Sequence, residues 1–143
     1  MLPKLLLPLS CALLLFACSP AIGDPCESVL DCSSQASRAC DRTQPSGYCT
    51  IAGCERGTCP EDSVCVKFHP FQGSVEGEEP MQQERLAETF CMATCGGDGD
   101  CREGDGYRCT GENDFGQERR MEAEVLDNPD QRFCSAEREM PSQ

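Results

Sequence analysis

The amino-acid sequence predicts a small disulfide-rich fold: three tandem four-cysteine modules, with short strands, two short helices in long loops and little hydrophobic core. The first observation is a repeated spacing, C-x5-C-x7-C, at Cys26-Cys32-Cys40 and again at Cys95-Cys101-Cys109, with an aspartate (Asp31, Asp100) before each second cysteine. The second is how the runs close. A fourth cysteine follows an aromatic at Tyr48-Cys49 and Phe133-Cys134, and a looser copy, Cys54-x4-Cys59-x5-Cys65, closes at Phe90-Cys91. The third is the shortage of large apolar side chains. From Cys18 onward only 15 of 126 residues are Leu, Ile, Val or Phe, well below the roughly 20% under which a charged chain is expected to be disordered. Burial alone at about 25 cal/mol per Å² cannot offset the ordering entropy of such a chain. Cross-links, at about 2–4 kcal/mol each, must supply the difference.

Residues 1–17 read as a signal peptide. Lys4 precedes the apolar run Leu5–Ala17, which has the length of an export signal and falls short of the roughly 20 residues a spanning helix needs. Pro3 and Pro8 disfavour the alternative of a buried amphipathic helix. The run ends in Leu15-Phe16-Ala17-Cys18, which resembles the lipobox of bacterial lipoproteins. The resemblance implies that Cys18 is the lipid-attachment residue and that the membrane is a partner through that anchor. It also implies that Ser19, in place of Asp, directs the protein to the outer membrane or cell surface. The alternative is ordinary cleavage after Ala21 and free secretion. Residues 18–25 read as a lipidated tether.

Module 1 spans residues 26–49. Asp31 suits an Asx-turn or a helix N-cap, Ser33–Ala39 is long enough for one or two helical turns, and Ser46-Gly47 reads as a turn into a short strand. After the joint Thr50–Gly53 comes module 2, residues 54–91, in which Val64–Phe68 alternates like a strand. Its long loop carries an expected helix over Pro80–Thr89, with Gln82, Leu86 and Phe90 on one face. Module 3, residues 95–134, carries a second expected helix over Gln117–Leu126, with Met121 and Val125 four apart and Asn128-Pro129 as its stop. Residues 135–143 read as a polar tail.

Twelve cysteines follow Cys18, an even number in an exported chain, and they read as a disulfide framework. Zinc is the competing use, but C-x2-C knuckles are lacking and His69 is the only histidine. Within each quartet three pairings are open. The preferred one joins first to third and second to fourth: Cys26–Cys40, Cys32–Cys49, Cys54–Cys65, Cys59–Cys91, Cys95–Cys109 and Cys101–Cys134. The repeated spacing behind Leu-Phe-Ala-Cys resembles cysteine-rich lipoproteins of myxobacterial-type soil bacteria, and more loosely the cysteine-rich modules of Dickkopf-type secreted proteins. The resemblance implies an address and an architecture, and no reaction.

No cofactor is expected, and chemistry has few footholds. Asp98, Asp100, Glu103 and Asp105, with glycines between them, form a calcium candidate, although the sequence departs from the EF-hand pattern at Cys101 and Arg102. The alternative is a turn-forming acidic loop. His69 lacks a partner nucleophile in the sequence and reads as a surface residue rather than a general base. Lys67–Glu79 or Arg119-Arg120 would serve a protease inhibitor, the runner-up class. The mature chain carries 25 acids against 11 bases once Lys4 is removed, a net charge of −14; such a surface repels nucleic acid phosphates and anionic headgroups. The expectation is therefore a non-enzymatic, lipid-anchored surface protein with an unknown protein or glycan ligand.

Overall fold

The computed structural model describes residues 20–69, 87–112 and 122–136. Its elements are a one-turn helix α1 (Val29–Cys32) and strands β1 (Ala39–Asp41), β2 (Tyr48–Thr50), β3 (Ser63–His69), β4 (Glu88–Ala93), β5 (Tyr107–Thr110), β6 (Glu122–Val125) and β7 (Phe133–Ala136). Two single 3-10 turns, Asp98–Asp100 and Glu103–Asp105, precede β5. All pairings are antiparallel: β1 with β2, β5 with β7, and a central sheet in the order β4-β3-β6. The fold is small, disulfide-rich and built from short strands, with a modest buried core.

Each module carries an antiparallel strand pair in which the third and fourth cysteines stand directly opposite one another: Cys40 with Cys49, Cys65 with Cys91, and Cys109 with Cys134. The first two cysteines lie on the preceding turn. The aspartate before the second cysteine shapes that turn. Asp31 Oδ2 accepts the amides of Glu27 at 2.9 Å and Ser28 at 2.7 Å, and Asp100 Oδ2 accepts those of Gly96 at 2.8 Å and Gly97 at 3.2 Å. In module 2 the same position is Thr58, whose hydroxyl accepts the Glu55 amide at 2.9 Å and donates to the Glu55 carbonyl at 2.8 Å. Asp31 is thus not the N-cap itself. It sits three residues past Ser28, as the acid of a capping box.

The helical expectations need correction. In module 1 the helix is α1, ahead of Cys32. Over Ser33–Arg38 the Ser33 hydroxyl instead binds the amides of Gln35 at 3.3 Å and Ser37 at 3.4 Å, a local competitor of the helical ladder, and Ala36 adopts a positive φ of 53°. The expected helix ending at Thr89 fails at its end, because Glu88 and Thr89 are strand residues of β4 paired with Phe68 and Lys67; positions 80–86 lie outside the described residues. Likewise Glu122–Val125 is strand β6, and Gln117–Met121 lies outside the described residues. There tertiary pairing overrides local propensity. β6 lies along β3 with Val125 opposite Val66 and Ala123 opposite Phe68, and Ala123 and Val125 both face the core.

That pairing joins two of the modules. A strand from the long loop of module 3 completes the sheet of module 2, and one core cluster draws on all three modules: Ile22, Tyr48, Val64, Val66, Met92, Tyr107, Val125 and Phe133. Asp127, just beyond β6, extends the tie. Its Oδ2 accepts the Cys65 amide at 2.7 Å and its Oδ1 the Gly57 amide at 2.5 Å. The joint between modules 1 and 2 is bonded too, with the Cys91 amide donating to the Ile51 carbonyl at 3.0 Å and Gly53 to Thr89 at 2.8 Å. At the far end, Ser135 and Ala136 are buried strand residues rather than the start of a tail. The segment read as a tether is docked as well. Ile22 is buried, and the Gly23 amide donates to the Cys49 carbonyl at 2.9 Å.

Candidate functional site

The six bridges are Cys26–Cys40, Cys32–Cys49, Cys54–Cys65, Cys59–Cys91, Cys95–Cys109 and Cys101–Cys134, with Cα separations between 5.3 and 5.9 Å, inside the range disulfides favour. Within each quartet three sulfurs lie within 4.8 Å of one another. Bonded in pairs, they are not thiolate ligands. Cys18 lies outside the described residues. No helix among the described residues is long and apolar enough to cross a membrane.

The acidic loop of module 3 is occupied by its own backbone and neighbours. Asp98 Oδ1 accepts the Cys109 amide at 2.9 Å and its Oδ2 faces Arg108 Nη1 at 3.5 Å. Asp100 holds the Gly96 and Gly97 amides, and Asp105 Oδ2 meets Arg102 Nη1 at 2.7 Å. These carboxylates and Glu103 do not converge: among the described residues, the trios of possible ligand atoms within 4.8 Å consist of cysteines alone. Asp98, Asp100 and Asp105 instead hold backbone amides or form ion pairs with Arg102 and Arg108.

His69 ends β3, with Nε2 3.7 Å from Glu124 Oε2 across the sheet. Its neighbour is thus a carboxylate that would pair with its protonated form. Of the two stretches considered for an inhibitory loop, Lys67–His69 is part of β3; positions 70–79 and 119–120 lie outside the described residues.

The most developed polar arrangement joins modules 1 and 3. Tyr48 and Tyr107 stack with centroids 5.5 Å apart, and the Arg102 guanidinium lies 4.4 Å over the Tyr107 ring and 5.9 Å from that of Tyr48. Arg102 Nη2 donates to the Gly47 carbonyl at 2.6 Å. The Tyr107 hydroxyl donates to the Pro45 carbonyl at 2.9 Å, and the Tyr48 oxygen accepts the Ala93 amide at 2.8 Å. Burial pushes both phenols above their ordinary pKa, Tyr48 furthest. They stay neutral through any physiological pH and serve as hydrogen-bonding packing groups rather than as acids or bases.

Beside this stack, bordered by Ile22, Asp24, Asp100 and the Cys101–Cys134 bridge, is a cavity of ≈ 120 Å³. It has room for a few waters, against the roughly 300–1,000 Å³ of a small-molecule site. No sequence pattern points to these roles for Arg102, Tyr107 or Asp127. Each acts on a partner 55 to 70 positions away, and no local spacing announces such a contact.

Comparison with protein-family models, with curated proteins and with solved structures found no match. The class the fold defines is therefore a small extracytoplasmic protein stabilised by disulfides.

Proposed function

We propose that the protein is a lipid-anchored envelope or surface protein that binds or spaces, without catalysis. The observation that carries this reading is that all twelve cysteines from Cys26 to Cys134 are joined in six bridges, a state kept by oxidising compartments outside the cytoplasm. The export-type segment Met1–Ala17 and the lipobox-like Leu15-Phe16-Ala17-Cys18 support the anchor. Among the described residues, the cavity beside Tyr48 and Tyr107 has room only for a few waters, and Asp98, Asp100 and Asp105 of the acidic loop are held by nearby backbone and arginine groups, which supports recognition by surface. The ligand class is a protein or a glycan, and the net charge disfavours nucleic acid.

Non-reducing peptide mapping of the native protein tests this. The expected N-terminal peptide begins at Cys18 and carries a diacylglyceryl mass, with six bridges and no free thiol. A mature N-terminus at Ile22, or free thiols in native material, would overturn it. A panel of secreted proteases at micromolar protein should show no inhibition; dose-dependent inhibition would move the assignment to an inhibitor.

A further inference from the structure

A single residue, Ser19, separates the proposed lipid-bearing Cys18 from chain that is already fixed to the fold. The Pro20 carbonyl accepts a hydrogen bond from the Arg38 guanidinium. The Ala21 amide donates to Asp24 Oδ2 at 2.7 Å, Ile22 is buried in the core, and the Cys49 amide donates to the Asp24 carbonyl at 2.9 Å. Gly23 has a φ of +95°, and a Cβ there would sit 2.9 Å from the Ala93 Cβ. Chain from Pro20 to Asp24 is therefore clamped against β2 and β4 rather than hanging free.

Resting on the lipid-anchor reading, we infer that the folded body lies directly on the bilayer, through a corner of module 1 made by Pro20, Ala21, Arg38 and Ala39. Two residues of extended chain reach at most about 7 Å, and the polar headgroup layer on each side of a bilayer is roughly 5–8 Å deep. With the acylated cysteine at that layer, Pro20 has no length of chain with which to leave it. The chemistry of the corner suits the occupant. Ala21 and Ala39 are small and exposed, and half-buried Arg38 offers a cation to lipid phosphates. Asp24, an acid of the same clamped segment, already holds the Ala21 amide.

Hydroxyl-radical footprinting of the lipidated protein in phosphatidylethanolamine–phosphatidylglycerol vesicles tests the placement. The reference is the unacylated form beginning at Ser19. Pro20 and Arg38 should be protected several-fold more on vesicles than in the reference. Inserting a Gly/Ser linker of about 20 residues between Ser19 and Pro20, with a root-mean-square span of roughly 25 Å, should remove that protection. If mass spectrometry finds no acyl group on Cys18, the anchor reading falls and the placement with it. If the acyl group is present but Pro20 and Arg38 react alike with and without the linker, the placement alone is overturned.

Discussion

Replacing Arg102 with methionine isolates the polar lock between modules 1 and 3, because methionine keeps an apolar stem over the tyrosine rings and removes the guanidinium. Three losses follow. The charge-assisted bond to the Gly47 carbonyl, 2.6 Å long and aimed at a buried residue, accounts for about 1.5–3 kcal/mol. The cation over Tyr107 at 4.4 Å adds about 0.5–2 kcal/mol. The pair with Asp105 is part-exposed, with side-chain accessibilities of 22% and 34%, and contributes about 0–1 kcal/mol. Neighbouring terms are not additive, so the expected cost of Arg102→Met is about 2–4 kcal/mol. Guanidinium unfolding with the bridges intact should show a lower midpoint at unchanged slope. Arg108→Met is the control: Arg108 belongs to the same module but is 55% exposed, and its loss should stay within about 0.5 kcal/mol. If both variants behave alike, ring burial alone holds the modules together and the lock does not exist.

Further outcomes follow from the same geometry. Asp127→Ala strands the part-buried Cys65 amide and leaves the exposed Gly57 amide to water, and should cost about 1–3 kcal/mol in the same unfolding assay, whereas Asp127→Asn, which keeps an acceptor, should lose less. Gly47→Ala places a Cβ 2.0 Å from the Cys26 carbonyl oxygen at a φ of +69°, so oxidative refolding should give a markedly lower yield of fully bridged protein by mass spectrometry. Asp31 is held below the ordinary carboxylate value of 3.8 by the Glu27 and Ser28 amides and the Ser28 hydroxyl. A depressed folded-state pKa adds stability that is present above the unfolded value and is lost as pH falls through the folded one. Unfolding midpoints of the parent should therefore decline below about pH 3.8, and an Asp31→Asn variant should show a smaller decline. Complete reduction should leave coil-like circular dichroism, and a cooperative melt in excess reductant would contradict the primacy of the bridges.

Local spacing carried the framework and stopped where the chain folds back on itself. The quartets were legible because the capped turn ahead of each strand pair keeps the first three cysteines at a nearly constant spacing, and Asp31 and Asp100 recur because both turns need the same acceptor. Residues Met121 to Val125 illustrate the limit. Apolar groups four apart fit a helix, yet Ala123 and Val125, two apart, fit a strand equally well. The choice is made by β3, some 55 positions earlier in the chain, which no window centred on β6 contains. The same holds for Glu88 and Thr89. Arg102 and Tyr107 read as an ordinary cation and aromatic in a polar loop, and only the arrival of Tyr48 and Gly47 beside them reveals their use. Pattern had nothing to say about the clamp on Pro20 to Asp24 either, because small residues near a terminus look like slack.

In every module the sulfur-bearing residues that face each other across the paired strands are the ones that do not bond. Opposed residues in an antiparallel pair have Cα atoms roughly 4.5–5.5 Å apart, close enough for a disulfide, so Cys40 and Cys49, Cys65 and Cys91, and Cys109 and Cys134 each form a tempting wrong rung. A chain that paired its strands before those turns closed would trap such rungs and have to exchange them. In the folded protein the side chains of Asp31, Thr58 and Asp100 hold the turn that carries the first two cysteines of each quartet, and those are the partners the opposed cysteines take instead of one another.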